Sequence, residues 1–272
     1  MHRAIKEVEF VIFDVETTGL NPRLGDRICE IAAIKSKDGR EISRFYSLVN
    51  PEIPMPQAAY EIHHISDTML LDTPKSNLVL LDFLVFIKDA VLAGYNVSFD
   101  LGFIENELRS IDRNLNPGIP VIDILRMSRR LYPDKQSYSL ANFSRELGLN
   151  FPQVHRAMQD VELTKQVFDI LLSKIETQKI KDFLNMHNLF GLNLELINQS
   201  NNQKIAEIVR AIDLKVRLKI RYFTSSKGEI TEREVTPKEI KQENNKQYLV
   251  GHCHLRNEER TFRIDSIVSM QI

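Results

Sequence analysis

The stretch Glu-Phe-Val-Ile-Phe-Asp-Val-Glu-Thr-Thr-Gly-Leu, residues 9–20, constrains the fold of this chain more than any other. Its run Phe10-Val11-Ile12-Phe13 is short, β-branched and aromatic, and predicts a buried strand. Successive strand side chains point to opposite faces, so Asp14 and Glu16 project together while Val15 turns back to the core. Two adjacent carboxylates at the end of a buried strand repel each other and lose solvation. A divalent cation would remove both penalties. The plain alternative is a strand that frays into solvent with two surface acids. Thr17-Thr18-Gly19 follows as a polar turn whose backbone can approach a ligand closely.

A chain of 272 residues makes one large domain or two smaller ones. Apolar residues at 43% suffice for sizeable cores, yet no apolar run is long enough to span a bilayer. Met1 to Glu7 lead straight into the first strand, so no signal peptide is expected. Cys29 and Cys253 are far apart and form no metal-ligand pattern, so both are expected as reduced thiols of a cytoplasmic protein. A net charge of −1 argues against a generic polyanion binder, but the charge is unevenly spread. Residues 204–272 hold 14 Lys and Arg against 10 Asp and Glu, a net of +4; residues 1–203 hold 22 against 27, a net of −5. An acidic front suits a site that collects cations, and a basic rear suits phosphate contacts.

After the acidic strand, Arg27 to Lys35 and Ile42 to Val49 predict two more strands around the Asp38-Gly39 turn, one antiparallel meander. Ser66 is expected to cap a helix. His63 and His64 are adjacent, so in a helix they point about 100° apart and cannot easily serve one metal. They are expected as partly exposed loop histidines, with substrate contact as a second option. Asn77 to Lys88 predicts an apolar helix and Ala90 to Tyr95 a short buried strand. Asn96 or Ser98 can cap the helix that follows, with Asp100 in its first turn. Asp100 is there either a chemical group or an ordinary acid at a helix start. Pro120 to Leu125 is another short strand, bearing Asp123, and Ser139 to Leu147 is a compact helix closed by Gly148.

A long amphipathic helix is expected over about 157–175, from the spacing of Val161, Thr164, Val167, Phe168, Leu171 and Leu172. His155 and Asp160 are five apart and would lie on different faces of one helix. They converge only if His155 sits in the preceding loop, which Pro152 favours; otherwise each is a surface residue. Lys181 to Leu196 is expected to hold a helix, and Asn198 to Gln203 to be a polar linker. This divides the chain into 1–176, a connection 177–203, and 204–272. In the last part Lys215 to Tyr222 alternates as a half-buried strand, and three more short strands suggest a small barrel or curled sheet.

Four carboxylates thus stand at strand or helix ends, Asp14, Glu16, Asp100 and Asp160, with His155 tethered near the last. Oxygen-only ligands suit Mg²⁺ or Mn²⁺ rather than zinc. Two such ions about 4 Å apart can activate a water and stabilise a leaving oxygen in phosphoryl transfer. A neighbouring histidine can serve as general base.

Three ordered motifs carry a resemblance. Phe13-Asp14-Val15-Glu16-Thr17-Thr18-Gly19-Leu20, Asn96-Val97-Ser98-Phe99-Asp100-Leu101-Gly102-Phe103 and His155-Arg156-Ala157-Met158-Gln159-Asp160 resemble the DEDDh family of 3′→5′ exonucleases, close to the proofreading subunit of bacterial replicative polymerases. The resemblance covers residues 8–175 and implies an α/β, ribonuclease-H-like fold, a mixed sheet with flanking helices. It implies that Asp14, Glu16, Asp100 and Asp160 hold two Mg²⁺ or Mn²⁺ ions, with Glu16 and His155 in the catalytic role and His155 as base. Thr17, Thr18, Leu20, Ile62, His63 and Asn96 would lie against the terminal nucleotide or support that contact, and Asp123 would be structural. Two positions depart from the family: Tyr95 stands where a histidine is usual, and His64 where a glycine is. The tail resembles the WYL domains of bacterial regulators in three segments, Thr231 to Pro237, Gln247 to Gly251 and Arg260 to Asp265. That implies an Sm/SH3-like β-barrel holding nucleic acid or a nucleotide-like ligand, with Arg233, Tyr248, Arg260 and Arg263 as its candidate surface. The expected function is 3′→5′ hydrolysis of single-stranded nucleic acid with a free 3′ end, DNA favoured. Exoribonuclease activity and a non-catalytic binding regulator are the alternatives.

Overall fold

The computed structural model describes residues 3–150, 155–244 and 246–271. The expected mixed sheet is present. Its centre is β1 (Glu9–Thr17), which pairs antiparallel with β2 (Ile28–Lys37), and β2 pairs antiparallel with β3 (Arg40–Leu48). On its other side β1 runs parallel to β4 (Val91–Gly94), and β4 parallel to β5 (Val121–Asp123). The alternation of β1 divides two cores. Phe10 and Ile12 enter one cluster, whereas Val11, Phe13 and Val15 enter the other.

The second cluster lies under α3 (Ser76–Phe86) and α4 (Ser98–Arg109), beyond the short α1 (Gln57–His63) and α2 (Asp67–Leu70). The first lies under α5 (Ile124–Leu131), α6 (Leu140–Glu146) and α7 (Ala157–Thr177). Helix α7 buries Val161, Thr164, Val167, Phe168, Leu171 and Ile175, one stripe at helical spacing, and Phe168 meets Phe10 edge-on at 5.1 Å. One cap differs from expectation. Val97, not Asn96 or Ser98, stands at the N-cap of α4, with no side chain bonded there. Ser66 stands at the N-cap of α2 as expected, but its hydroxyl bonds Thr68 Oγ1 instead of the backbone. The loop that Pro152 suggested falls outside the described residues.

The polar stretch 198–203, expected as a linker, lies inside a helix. After α8 (Phe183–Phe190), α9 runs unbroken over Leu194–Asp213. Its buried side includes Ile197, Ser200, Asn201, Lys204, Ile208 and Ala211. The middle of that stripe is polar because it meets polar partners: Asn188 Nδ2 donates to Ser200 Oγ at 2.6 Å. Periodicity of apolar residues could not show it.

A second five-stranded sheet follows: β6 (Leu218–Thr224), β7 (Glu229–Glu243), β8 (Lys246–Cys253), β9 (Glu258–Arg263) and β10 (Ile267–Gln271). Its order is β10-β6-β7-β8-β9 and every pairing is antiparallel. The expected barrel is not closed, because β9 and β10 sit at opposite edges with a 3₁₀ turn, Ile264–Ser266, between them. Strand β6 also starts later than its alternation suggested, since Lys215 has φ 52°, outside strand geometry. Ile208 and Ala211 of α9 cover the sheet. Phe223 and Val268 leave that domain and join the first core. Among the described residues no helix is long and apolar enough to cross a membrane.

Candidate active site

Asp14 and Glu16 leave β1 on the face of Phe10 and Ile12, the face that α7 covers. Asp160 lies in the first turn of α7. The topology therefore delivers all three to one point, and their carboxylate oxygens lie within 4.8 Å of one another. Asp100, in the first turn of α4, is buried and accepts the Val15 N–H at 3.2 Å. It stands near enough to disturb Asp14 but outside that group of three. His155 precedes α7, as its spacing from Asp160 required. Its Nδ1 is 3.9 Å from Asp160 Oδ2, too long for a hydrogen bond, and the ring is 65% exposed.

The electrostatics are those of buried acids crowded together. Burial, then Asp100, Glu16, Asp160 and Glu30, hold the Asp14 carboxyl well above its ordinary pKa. Burial, then Asp160, Glu30 and Asp100, push Glu16 up to about 8, with Arg156 pulling the other way. Asp100 is pushed to about 7, chiefly by burial, against the Val15 N–H that favours its charged form. Asp160 rises to about 6 by burial, with His155 opposing. Each shift states that the ionised form is poorly solvated here. The donor set is oxygen only, which fits a hard divalent cation.

The turn after β1 is tightly built. Thr17 Oγ1 donates to Gly19 O at 2.6 Å, and Thr18, buried, accepts the Arg27 N–H through its hydroxyl at 2.9 Å. A side chain at Gly19 would start 2.4 Å from the Asp26 carboxyl, which would have to swing aside to admit it. Arg27 itself is clamped by the buried Glu107 at 2.6 and 2.7 Å. Leu20 emerges from this turn 81% exposed, and Ile62 is 53% exposed on α1.

His63 is placed otherwise than in an exposed loop. It ends α1 and is buried, with Nδ1 accepting the Ile65 N–H at 3.1 Å and its ring bonded to the Thr17 backbone. This arrangement makes it a brace between α1 and the β1 terminus. His64 has φ 56°, the left-handed region that glycine adopts freely and a histidine adopts at a cost. Asn96 is exposed at φ 62°, and its backbone bonds the Asp123 carboxylate. Asp123 also accepts from Leu125 N and Arg126 N at 3.0 and 3.3 Å, capping α5 as a structural acid. Tyr95 donates its hydroxyl to Tyr138 O at 2.7 Å.

Two participants escaped the sequence reading. Glu30 of β2 is fully buried among these acids, and Arg156 is bonded to it. The signal was available: a lone glutamate inside the apolar run Ile28 to Ile34 needs a partner. The four tail candidates do not share one face. Tyr248 and Arg263 stand opposite each other in the ladder, whereas Arg260 is opposite Gly251, on the other side of the sheet. Arg263 turns back to Asp265, and Arg233 Nε donates to Thr231 Oγ1 at 3.2 Å.

Comparison with known proteins agrees with this geometry. The Exonuclease family model matches residues 11–168, and the WYL domain model matches 203–272. The chain is 38% identical over 166 residues to DNA polymerase III PolC-type of Bacillus subtilis (60% of this chain, 11% of that one). It is 31% identical over 204 residues to the Clostridium perfringens protein of that name (75% of this chain, 14% of that one). It thus spans about one seventh or less of these relatives. E. coli exonuclease I, solved in complex with a dT13 oligonucleotide, shares the fold at TM-score 0.57 and 18% identity, over 90% of this chain and 55% of that one. Motifs, topology and family model converge, and the chain belongs to the Exonuclease family, with a WYL domain behind the exonuclease domain.

Proposed function

We propose that the protein removes mononucleotides, in a cation-dependent manner, from the 3′ end of single-stranded nucleic acid, with DNA favoured. One observation carries this reading: Asp14, Glu16 and Asp160 converge to within 4.8 Å beside an exposed His155. Asp14, Glu16 and Asp160 would hold Mg²⁺ or Mn²⁺, with Asp100 supporting the group. Two bound ions would supply an activated water and charge stabilisation at the leaving oxygen.

The chain's own residues do the rest. His155, its ring exposed beside Asp160, takes a proton from the attacking water, a contribution of about 10²–10⁴-fold. The water oxygen bonds to phosphorus as the bond to the 3′ oxygen breaks. The terminal nucleotide leaves as a 5′-monophosphate, and the shortened strand keeps a new 3′ hydroxyl. Leu20 and Ile62 offer exposed apolar surface to the terminal base, and the Thr17–Gly19 backbone approaches its sugar. Thr18 and His63 act beneath, holding that turn, and Asn96 stands exposed at the start of α4. Residues 1–176 carry the chemistry, and 204–272 hold nucleic acid or a nucleotide-like ligand through Tyr248 and Arg263 on one side or Arg233 and Arg260 on the other. The relatives' name, a DNA polymerase, supports DNA. Two buried free thiols support a cytoplasmic place.

The test is a gel assay of 5′-labelled and 3′-labelled single strands, DNA and RNA, with and without Mn²⁺. Ladders shortening from the 3′ end, only with the cation, are expected, and faster on DNA. Asp14→Ala should abolish them while the fold survives. Full activity in that variant, or cleavage without divalent ions, would contradict the assignment.

A further inference from the structure

Beyond the cation-holding acids, we infer that Glu30 is the positioning residue that sets His155 and Asp160 against the β1 carboxylates. The inference rests on the exonuclease reading. Glu30 stands opposite Glu16 in the β1–β2 ladder, on the α7 side of the sheet with Ala32 and Ile34. It is fully buried and near enough to act on Asp14, Glu16 and Asp160. By charge and place it could be one more cation ligand.

Its hydrogen bonds assign it elsewhere. Arg156 donates to Oε1 through Nε at 3.0 Å and Nη2 at 2.5 Å, and the Tyr46 hydroxyl donates to the same oxygen at 2.8 Å. The Ala157 N–H donates to Oε2 at 2.8 Å, and Arg156 Nε lies 3.2 Å from that oxygen as well. Arg156 Nη2 also donates to Tyr46 Oη at 3.0 Å, closing the ring. Glu30 has both oxygens occupied, whereas Asp14, Glu16 and Asp160 form the group that can take an ion. Arg156 is the N-cap of α7 yet supplies no capping side chain. Glu30 supplies it from β2, satisfying an orphan N–H and placing negative charge at the positive end of the helix.

The consequence is positional. His155 is joined to Arg156 on one side of this clamp, and Asp160 follows Ala157 by three residues on the other. One buried carboxylate thereby fixes both the base and a cation ligand relative to β1. The clamp also holds the Arg156 charge where it favours ionised Glu16.

The full chain is compared as wild type and Glu30→Gln, each with and without His155→Ala. A glutamine cannot accept from all of these donors, so kcat on an oligonucleotide should fall about 100-fold, the scale of a 1 Å misplacement. KM should stay within about twofold, because no substrate contact is lost. In the His155→Ala background the further loss should shrink to less than about threefold, as for residues that act as a unit. Amide exchange at Ala157 should quicken about tenfold or more while that at Val167 and Leu171 holds. An equal loss in both backgrounds, or unchanged Ala157 exchange, would overturn the inference. If Glu30→Gln does not fold, the neutral pair Glu30→Gln, Arg156→Met carries the same expectations. An inactive wild type would sink the exonuclease reading alone, and the Ala157 exchange would still decide what Glu30 holds.

Discussion

Three carboxyl groups with oxygens within 4.8 Å of one another cannot all ionise cheaply inside a fold. Glu16 titrates near its ordinary 4.5 when unfolded and near 8 when folded, and Asp160 moves from 3.8 to about 6. A carboxyl whose pKa rises on folding binds its proton more tightly in the folded state. These groups therefore weaken the cation-free protein as pH climbs from 3.8, where Asp160 ionises in the unfolded chain, through about 8. The expected outcome is a cation-free Tm that falls from pH 5.5 to 8.5, with Glu16→Gln flattening the slope. Mn²⁺ should raise Tm more at pH 8.5, where it no longer competes with protons. Differential scanning fluorimetry checks both; a larger Mn²⁺ effect at pH 5.5 would refute the sign. At this scale the strand period was enough to bring Asp14 and Glu16 together, and the five-residue gap was enough to put His155 ahead of its helix. The parts that were not legible, Glu30 with Arg156 and the brace made by His63, depend on which residues a distant strand or turn meets. No local pattern encodes that meeting.

Among elements, α7 matters most, because its first turn carries Asp160 and its length packs on β1 and β2. Phe168 is fully buried against Phe10, so Phe168→Ala should lower stability by about 3–5 kcal/mol. Urea unfolding reads that loss directly, and a change below about 1 kcal/mol would mean the helix is held some other way. The stripe of α7 was legible because its buried positions are apolar. The course of α9 was not, since its buried middle is Ser200, Asn201 and Lys204. Those residues read as solvent-facing until Asn188 and the Ile264 carbonyl are seen against Ser200 and Lys204. The open second sheet has a similar cause: spacing suggests four strands where there are five, because both the extra strand β10 and the lack of closure depend on where the last turn sends the chain.

At the scale of the whole molecule, Arg130 is one of the residues that fasten the two domains, beside Gln178, whose Nε2 donates to Gly228 O at 2.6 Å. The Arg130 guanidinium donates to Leu189 O at 2.5 Å and Ser266 Oγ at 3.1 Å, and lies 4.8 Å from the Phe223 ring centre. Arg130→Ala should leave those acceptors without their donor, at about 1–3 kcal/mol. Calorimetry should then resolve two melting steps where one is expected of the parent; a single unshifted peak would disprove the fastening role.

Phe223 gives that junction a broader meaning. Its ring belongs to the same interior as Phe10 and Phe168, and it meets Phe190 edge-on at 6.0 Å. The halves match two family models as though they were beads on a string, yet they share a keystone. Swapping in a foreign tail would leave a dry gap beside Phe190 unless the newcomer brought an aromatic ring of its own to plug it.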